Sequence, residues 1–163
     1  MARVYVGIGS NIERETHIRG AVRALQQRFE PLTLSQVYES QPVGFEGADF
    51  YNLVAGFDTS LPIEQLLDEL RSIEQNHGRK RSGQRFEART LDLDLLLYNG
   101  MVRHDDNVDV PRPEILKYAF MLRPLAEIAP TQTHPDNGKS FSELWKSFSD
   151  KRQKLRRVDL TLP

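Results

Sequence analysis

Residues 91–98 read Leu-Asp-Leu-Asp-Leu-Leu-Leu-Tyr and form the strongest strand signal in the chain. Successive side chains of a strand point to opposite faces, so Leu91, Leu93 and Leu95 share one face and Asp92 and Asp94 the other. The leucine face needs an apolar layer against it. Two amphipathic helices can supply that layer. From about Glu13 to Phe29, the positions Ile18, Ala21, Val22, Leu25 and Phe29 recur at three- and four-residue spacing, and Pro31 ends the pattern. Leu66, Leu67, Leu70 and Ile73 give a second stripe that runs to about His77. Ser60 is the candidate cap of that helix, Pro62 suits its first turn, Glu64 favours its positive end, and Gly78 is the candidate C-cap.

Further strands are expected at Arg3–Ile8, Leu32–Tyr38 and Tyr51–Asp58. Gly9-Ser10-Asn11 has turn chemistry, and Gly7 and Gly9 read as a tight turn before a helix. Residues 40–49 contain Pro42, Gly44 and Gly47 and read as a loop, one that carries Val43 and Phe45 and leads into Phe50 and Tyr51. Apolar and aromatic groups on such a loop either tuck onto the core or line a pocket for a flat ligand. Short helices are expected at Phe120–Ile128 and Phe141–Phe148, and a last strand within Leu155–Leu162. The order is strand, helix, strand, strand, helix, strand, then a helical C-terminal part. It predicts an α+β sandwich with helices packed on a largely antiparallel sheet. At 163 residues, one domain spanning 1–163 is expected.

Charge and composition narrow the function. Lys and Arg number 22 and Asp and Glu 23, a formal net charge of −1, so any anion site has to be a local concentration of cations. With no cysteine, the chain has no disulfide, thiolate zinc site, iron–sulfur cluster or cysteine nucleophile. The four histidines have no His-Glu-x-x-His spacing. No apolar run approaches the ~18 residues of a membrane span, and the N-terminus lacks the pattern of a secretory signal; cytoplasmic residence is the expectation.

Residues 78–94 concentrate the chemistry. Up to residue 89 this stretch holds Arg79, Lys80, Arg81, Arg85 and Arg89 against a single anion, Glu87. Gly78, Gly83 and the absence of apolar periodicity predict a loop able to close over a ligand, and guanidinium forks match phosphate oxygens. Asp92 and Asp94 follow directly. Carboxylates two residues apart along a strand, about 6.5–7 Å, can hold hard cations such as Mg²⁺ between them and a polyphosphate. A charged run alone is most often solvated surface, and so is the polar face of a strand. Their adjacency is what points to metal-assisted phosphoryl transfer. Neither G-x-G-x-x-G nor a P-loop motif is present, which argues against both of those nucleotide-binding folds.

These residues resemble the 6-hydroxymethyl-7,8-dihydropterin pyrophosphokinase family of folate biosynthesis. The resemblance rests on Gly9-Ser10-Asn11, on Tyr38-Glu39-Ser40 with Pro42-Val43-Gly44, and on Phe50-Tyr51-Asn52. It continues through Gly78-Arg79, Arg89-Thr90-Leu91-Asp92-Leu93-Asp94-Leu95-Leu96, Val110-Pro111, Phe120-Met121-Leu122-Arg123-Pro124-Leu125 and Glu127-Ile128-Ala129-Pro130. It implies a ferredoxin-like fold and transfer of the β,γ-pyrophosphate of ATP to a pterin hydroxymethyl group, with release of AMP. By position, Asp92 and Asp94 would hold two Mg²⁺ ions. Arg79, Arg81, Arg89 and Arg112 would contact ATP, with Glu74 near the nucleotide. Ser40, Val43, Phe50, Asn52 and Phe120 would form the pterin pocket, with Phe120 stacking on the ring. ATP and a hydroxymethyl-dihydropterin are the implied partners, with no nucleic acid and no membrane, and the chain is expected to be a monomer.

Departures from the family's common pattern are Phe86-Glu87-Ala88 before Arg89, Arg112 in place of His, Tyr118 in place of Arg, and Gln41 in place of Pro. Two other readings stay open. One is a paralogue that binds pterin or nucleotide with lost or altered turnover, which absence of AMP despite pterin binding would favour. The other is a nucleic-acid-binding module built on the 78–89 stretch and the basic segment 151–157, which strongly salt-dependent binding to RNA or DNA would favour.

Overall fold

A computed structural model describes residues 1–78, 90–150 and 152–163. The strands are β1 (Ala2–Ser10), β2 (Thr33–Leu34), β3 (Val37–Ser40), β4 (Phe50–Thr59), β5 (Asp92–Tyr98), β6 (Arg103–His104), β7 (Asp109–Val110) and β8 (Arg156–Val158). The helices are α1 (Arg14–Phe29), α2 (Ile63–Asn76), α3 (Ala119–Ile128) and α4 (Phe141–Lys146). The main sheet runs β5-β1-β4-β3-β8, with β2 also on β4, and every pairing is antiparallel. The α+β sandwich is as expected. Two β-α-β units interleave, since β4 separates β1 from β3 and β1 separates β4 from β5, so both crossover helices reach the same face.

That face holds the larger core. Val4, Val6 and Ile8 of β1, Leu53, Ala55 and Phe57 of β4, and Leu91, Leu93 and Leu95 pack with the stripes of α1 and α2. The opposite face carries a second core, where Tyr5, Val54, Leu96 and Leu97 meet Met121, Leu122 and Leu125 of α3 and Phe141 of α4. The predicted alternation of 91–95 holds, and then a bulge intervenes. Tyr5 pairs with Leu97 and Val6 with Leu95, so Leu96 is the extra residue and the strand switches parity after Leu95. The bulge explains why Leu97 joins Leu96 in the second core and not Leu95 in the first.

Several expectations need correction. Gly7 and Gly9 lie inside β1, not in a turn; the turn falls at residues 11–13. The single strand expected over Leu32–Tyr38 is two short strands, because the Ser35 hydroxyl accepts the Val54 N–H at 2.9 Å and takes a place in the ladder. Ser60 does not cap α2: Pro62 precedes its first residue and makes no side-chain cap bond. Gly78 follows the end of α2 with φ +78°, as a C-terminal glycine should. Helix α4 ends at Lys146, and its start is a Ser140/Glu143 capping box. The last strand is only Arg156–Val158. The β6–β7 hairpin is additional; Asp105 forms its turn by accepting the N–H groups of Asn107 and Val108 at 2.8 and 2.9 Å.

Helix α1 is tied to the end of α2 by two histidines. The Nδ1 atoms of His17 and His77 stand 2.7 Å apart, a spacing that needs one ring to donate and the other to accept. The His77 ring lies over Gly20, where a Cβ would collide with it. Burial, with His17 beside it, pushes the His77 imidazole below its ordinary value. The unfolded chain therefore binds this proton more readily than the folded one. The contribution is fully present above the ordinary value of 6.5 and is lost as pH falls through the lower folded value. Thermal unfolding should show the wild type losing more Tm than His77→Gln between about pH 7.5 and about pH 5. Equal losses in the two proteins would contradict the assignment.

Candidate active site

The site is organised by a row of residues across the sheet. In register, Asp92 of β5 faces Gly9 of β1, Gly9 faces Asn52 of β4, and Asn52 faces Tyr38 of β3. One step along, Asp94 faces Gly7 and Gly7 faces Val54. Because Val6 and Ile8 belong to the helix-side core, Gly7, Gly9 and both aspartates lie on the other face. The two glycines keep that face bare between β4 and β5. At Gly9 an added Cβ would stand 2.8 Å from Asn52 Oδ1, so the Asn52 amide would have to move from its place. The Gly7/Gly9 pattern that resembles a turn signal is thus a device that lets side chains from both neighbouring strands converge over β1.

A cavity of about 620 Å³ opens over this row, within the size range of small-molecule sites. Ser40, Val43, Phe50, Asn52 and Phe120 line it, and so do Glu74, Asp92, Asp94 and Arg112. The structure therefore gathers into one cavity nine of the residues singled out in the sequence. The other three, Arg79, Arg81 and Arg89, lie outside the described residues, as do Glu87 and Lys151.

One part of the cavity is aromatic and amide-lined. Asn52 is buried and donates from Nδ2 to Ser40 Oγ at 2.8 Å, which fixes its amide. Phe45 and Phe50 meet edge to face at 6.2 Å between centroids, and Tyr118 stacks on Phe120 at 5.3 Å with an interplanar angle of 20°. Asn11 Nδ2 donates to the Ala48 carbonyl at 3.1 Å and ties β1 to the loop that carries Val43 and Phe45. Sequence reasoning left Phe45 between core and pocket and named Tyr118 only as a departure from the family pattern; both line the cavity, and Asn11 and Glu114 were not assigned to the site. The Gly9-Ser10-Asn11 run was the available signal for Asn11.

The other part is charged. Asp92 and Asp94 are half-buried on the edge strand. Arg112 Nη2 lies 3.4 Å from Asp94 Oδ1, and Arg112 Nε lies 3.4 Å from Glu114 Oε2. Asp94 first, and then Glu114, hold the Arg112 guanidinium above its ordinary pKa, against the effect of burial. Glu74 is buried and accepts the Leu93 N–H at 2.8 Å, so it closes the outer edge of the strand that carries both aspartates. Among the described residues no group of three or more histidine or carboxylate side chains gathers at one point. Two hard oxygen donors on an open cavity wall fit Mg²⁺, which keeps several water or phosphate oxygens of its own.

The family model for 7,8-dihydro-6-hydroxymethylpterin-pyrophosphokinase (HPPK) matches residues 5–130. The chain belongs to that family. Among its relatives, a 2-amino-4-hydroxy-6-hydroxymethyldihydropteridine pyrophosphokinase of Aquifex aeolicus is 38% identical over 147 residues, covering 88% of this chain and 90% of the relative. One of the same name from Haemophilus influenzae is 35% identical over 154 residues, covering 92% and 95%. The fold is also that of the HPPK-DHPS crystal structure of Plasmodium falciparum with SDX-DHP, with a TM-score of 0.72 at 12% identity. That likeness covers 90% of this chain and 44% of the Plasmodium one, so the chain spans less than half of that polypeptide. The ferredoxin-like sandwich expected from the resemblance is the fold observed.

Proposed function

We infer that this chain transfers pyrophosphate from ATP to 6-hydroxymethyl-7,8-dihydropterin in folate biosynthesis and releases AMP. The observation that carries the reading is the row Asp92–Gly9–Asn52. It sets a carboxylate suited to a metal–phosphate complex two strand spacings, about 9.5 Å, from a buried amide suited to a pterin edge. In the transfer, the pterin hydroxymethyl oxygen bonds to the β-phosphorus of ATP and the α,β-bridging oxygen leaves with AMP.

Each wall of the cavity has a part in this. Asn52, held by Ser40, presents amide donor and acceptor to the flat heterocycle, while Phe50, Phe120 and Val43 cover its faces and exclude water. Asp92 and Asp94 would hold two Mg²⁺ ions, which when bound screen the phosphate charge and stabilise the attacking and leaving oxygens. Arg112 adds a permanent cation at the phosphate end. Arg79, Arg81 and Arg89 are assigned to phosphate contacts by sequence alone. Glu74 acts through the strand: by holding the Leu93 N–H it keeps the aspartate strand in place. No general base is required if fixed charges stabilise the transition state. The chain acts as a monomer, so its activity per mole should not depend on protein concentration.

The test is AMP production from ATP and Mg²⁺ with and without 6-hydroxymethyl-7,8-dihydropterin. Pterin-dependent AMP is the expected result. No AMP, with calorimetry still showing pterin bound, would overturn the activity and leave a binding protein.

A further inference from the structure

Glu114 sits in the 3-10 turn Pro113–Leu116, is 5% exposed, and lines the same cavity as the aspartates. A carboxylate buried to that degree is costly unless a cation compensates it. Arg112 stands within ion-pair distance and is shared: its Nε faces Glu114 while its Nη2 faces Asp94, each at 3.4 Å. The main chain at Arg112 is fixed, because its N–H donates to the Leu96 carbonyl at 3.0 Å. The side chain is less constrained, since its buried Nε makes no hydrogen bond among the described residues. The guanidinium is therefore shared between Asp94 and Glu114, with Asp92 and Asp109 adding weaker attraction, and its partly exposed side chain lines the cavity.

We propose that Glu114 is a positioning residue that shares the Arg112 guanidinium with Asp94 and keeps it from closing fully on that carboxylate, so that a divalent cation can compete for Asp94 and a phosphate oxygen of the nucleotide for Arg112. This rests on the function proposed above. Coulomb attraction rises as the charges approach. With Glu114 neutralised, Arg112 closes on Asp94, and the two groups mask one another from the metal–nucleotide complex. With Glu114 charged, the pull on the guanidinium is divided.

The experiment compares Glu114→Gln in the wild-type and in the Arg112→Met background. Readouts are KM for MgATP, KM for the pterin, Tm, and the calorimetric affinity for Mg²⁺ with a non-hydrolysable ATP analogue. Glu114→Gln should weaken both nucleotide readouts about tenfold and leave the pterin KM within about twofold. In the Arg112→Met background the same change should shift nucleotide affinity less than about twofold. Glu114→Asp, which keeps the charge, should recover part of the loss and carries the test if Glu114→Gln fails to fold. Equal losses in both backgrounds, or parallel losses for nucleotide and pterin with a lowered Tm, would make Glu114 a packing residue and overturn the proposal. If the wild type releases no AMP, the activity reading fails on its own, and the calorimetric comparison still decides the role of Glu114.

Discussion

Replacing Asp94 with alanine should abolish pterin-dependent AMP release while the protein stays folded. Asp94 stands on the open face of the edge strand, opposite the bare backbone of Gly7. Nothing in the leucine core depends on it, since Leu93 and Leu95 point to the other side. Its removal takes away one of the two carboxylates proposed to hold the metal ions. It also removes the strongest of the acidic neighbours of the Arg112 guanidinium and leaves Glu114, Asp92 and Asp109. Losing one preorganised electrostatic group at a transition state costs about 10²–10³ in kcat, and a lost metal site adds to that. The measurement is kcat for AMP formation together with a urea unfolding curve. A drop of at least about a hundredfold, with stability changed by no more than about 1 kcal/mol, is expected. Full activity in the variant would remove Asp94 from the metal site.

Asn52→Ala should act on the other substrate. Asn52 is 7% exposed, its Nδ2 donates to Ser40 Oγ, and its Oδ1 lies 2.8 Å from where a Cβ on Gly9 would stand. A pterin edge bound by that amide would lose its matched partner inside a water-poor pocket, at a cost of about 1–3 kcal/mol. The pterin KM should rise about 10- to 100-fold. The KM for MgATP should change little, because Gly9 separates Asn52 from Asp92 in the row. Steady-state kinetics with each substrate varied in turn reads the split. Equal changes in both KM values, or no change in either, would contradict the assignment of Asn52 to the pterin.

Much of this architecture was legible in the sequence because local signals and tertiary demands agree. The apolar stripes of α1 and α2 and the alternation at 91–95 are periodicities that burial on one face enforces. What escaped were features set by neighbouring strands. Gly9 looks like a turn residue until the Asn52 side chain is seen crossing it. The strand at Leu32–Tyr38 looks continuous until the Ser35 hydroxyl enters the ladder. Strict alternation puts Leu97 on the same face as Leu95, and the bulge against Tyr5 and Val6 moves it to the opposite core beside Leu96. The site residues were legible by resemblance more than by pattern: Asp92 and Asp94 stand out by alternation, whereas Ser40 and Asn52 gain meaning only as hydrogen-bonded cross-strand neighbours. The role of Glu114 depends on Arg112 and Asp94 coming together in space, which spacing along the chain does not reveal.

The most direct measurement follows the label. With ATP carrying ³²P at the γ-position, 6-hydroxymethyl-7,8-dihydropterin and Mg²⁺, the label should appear in a pterin diphosphate, and unlabelled AMP should form in equal amount. Formation of ADP with a pterin monophosphate, or AMP release that ignores the pterin, would contradict pyrophosphoryl transfer.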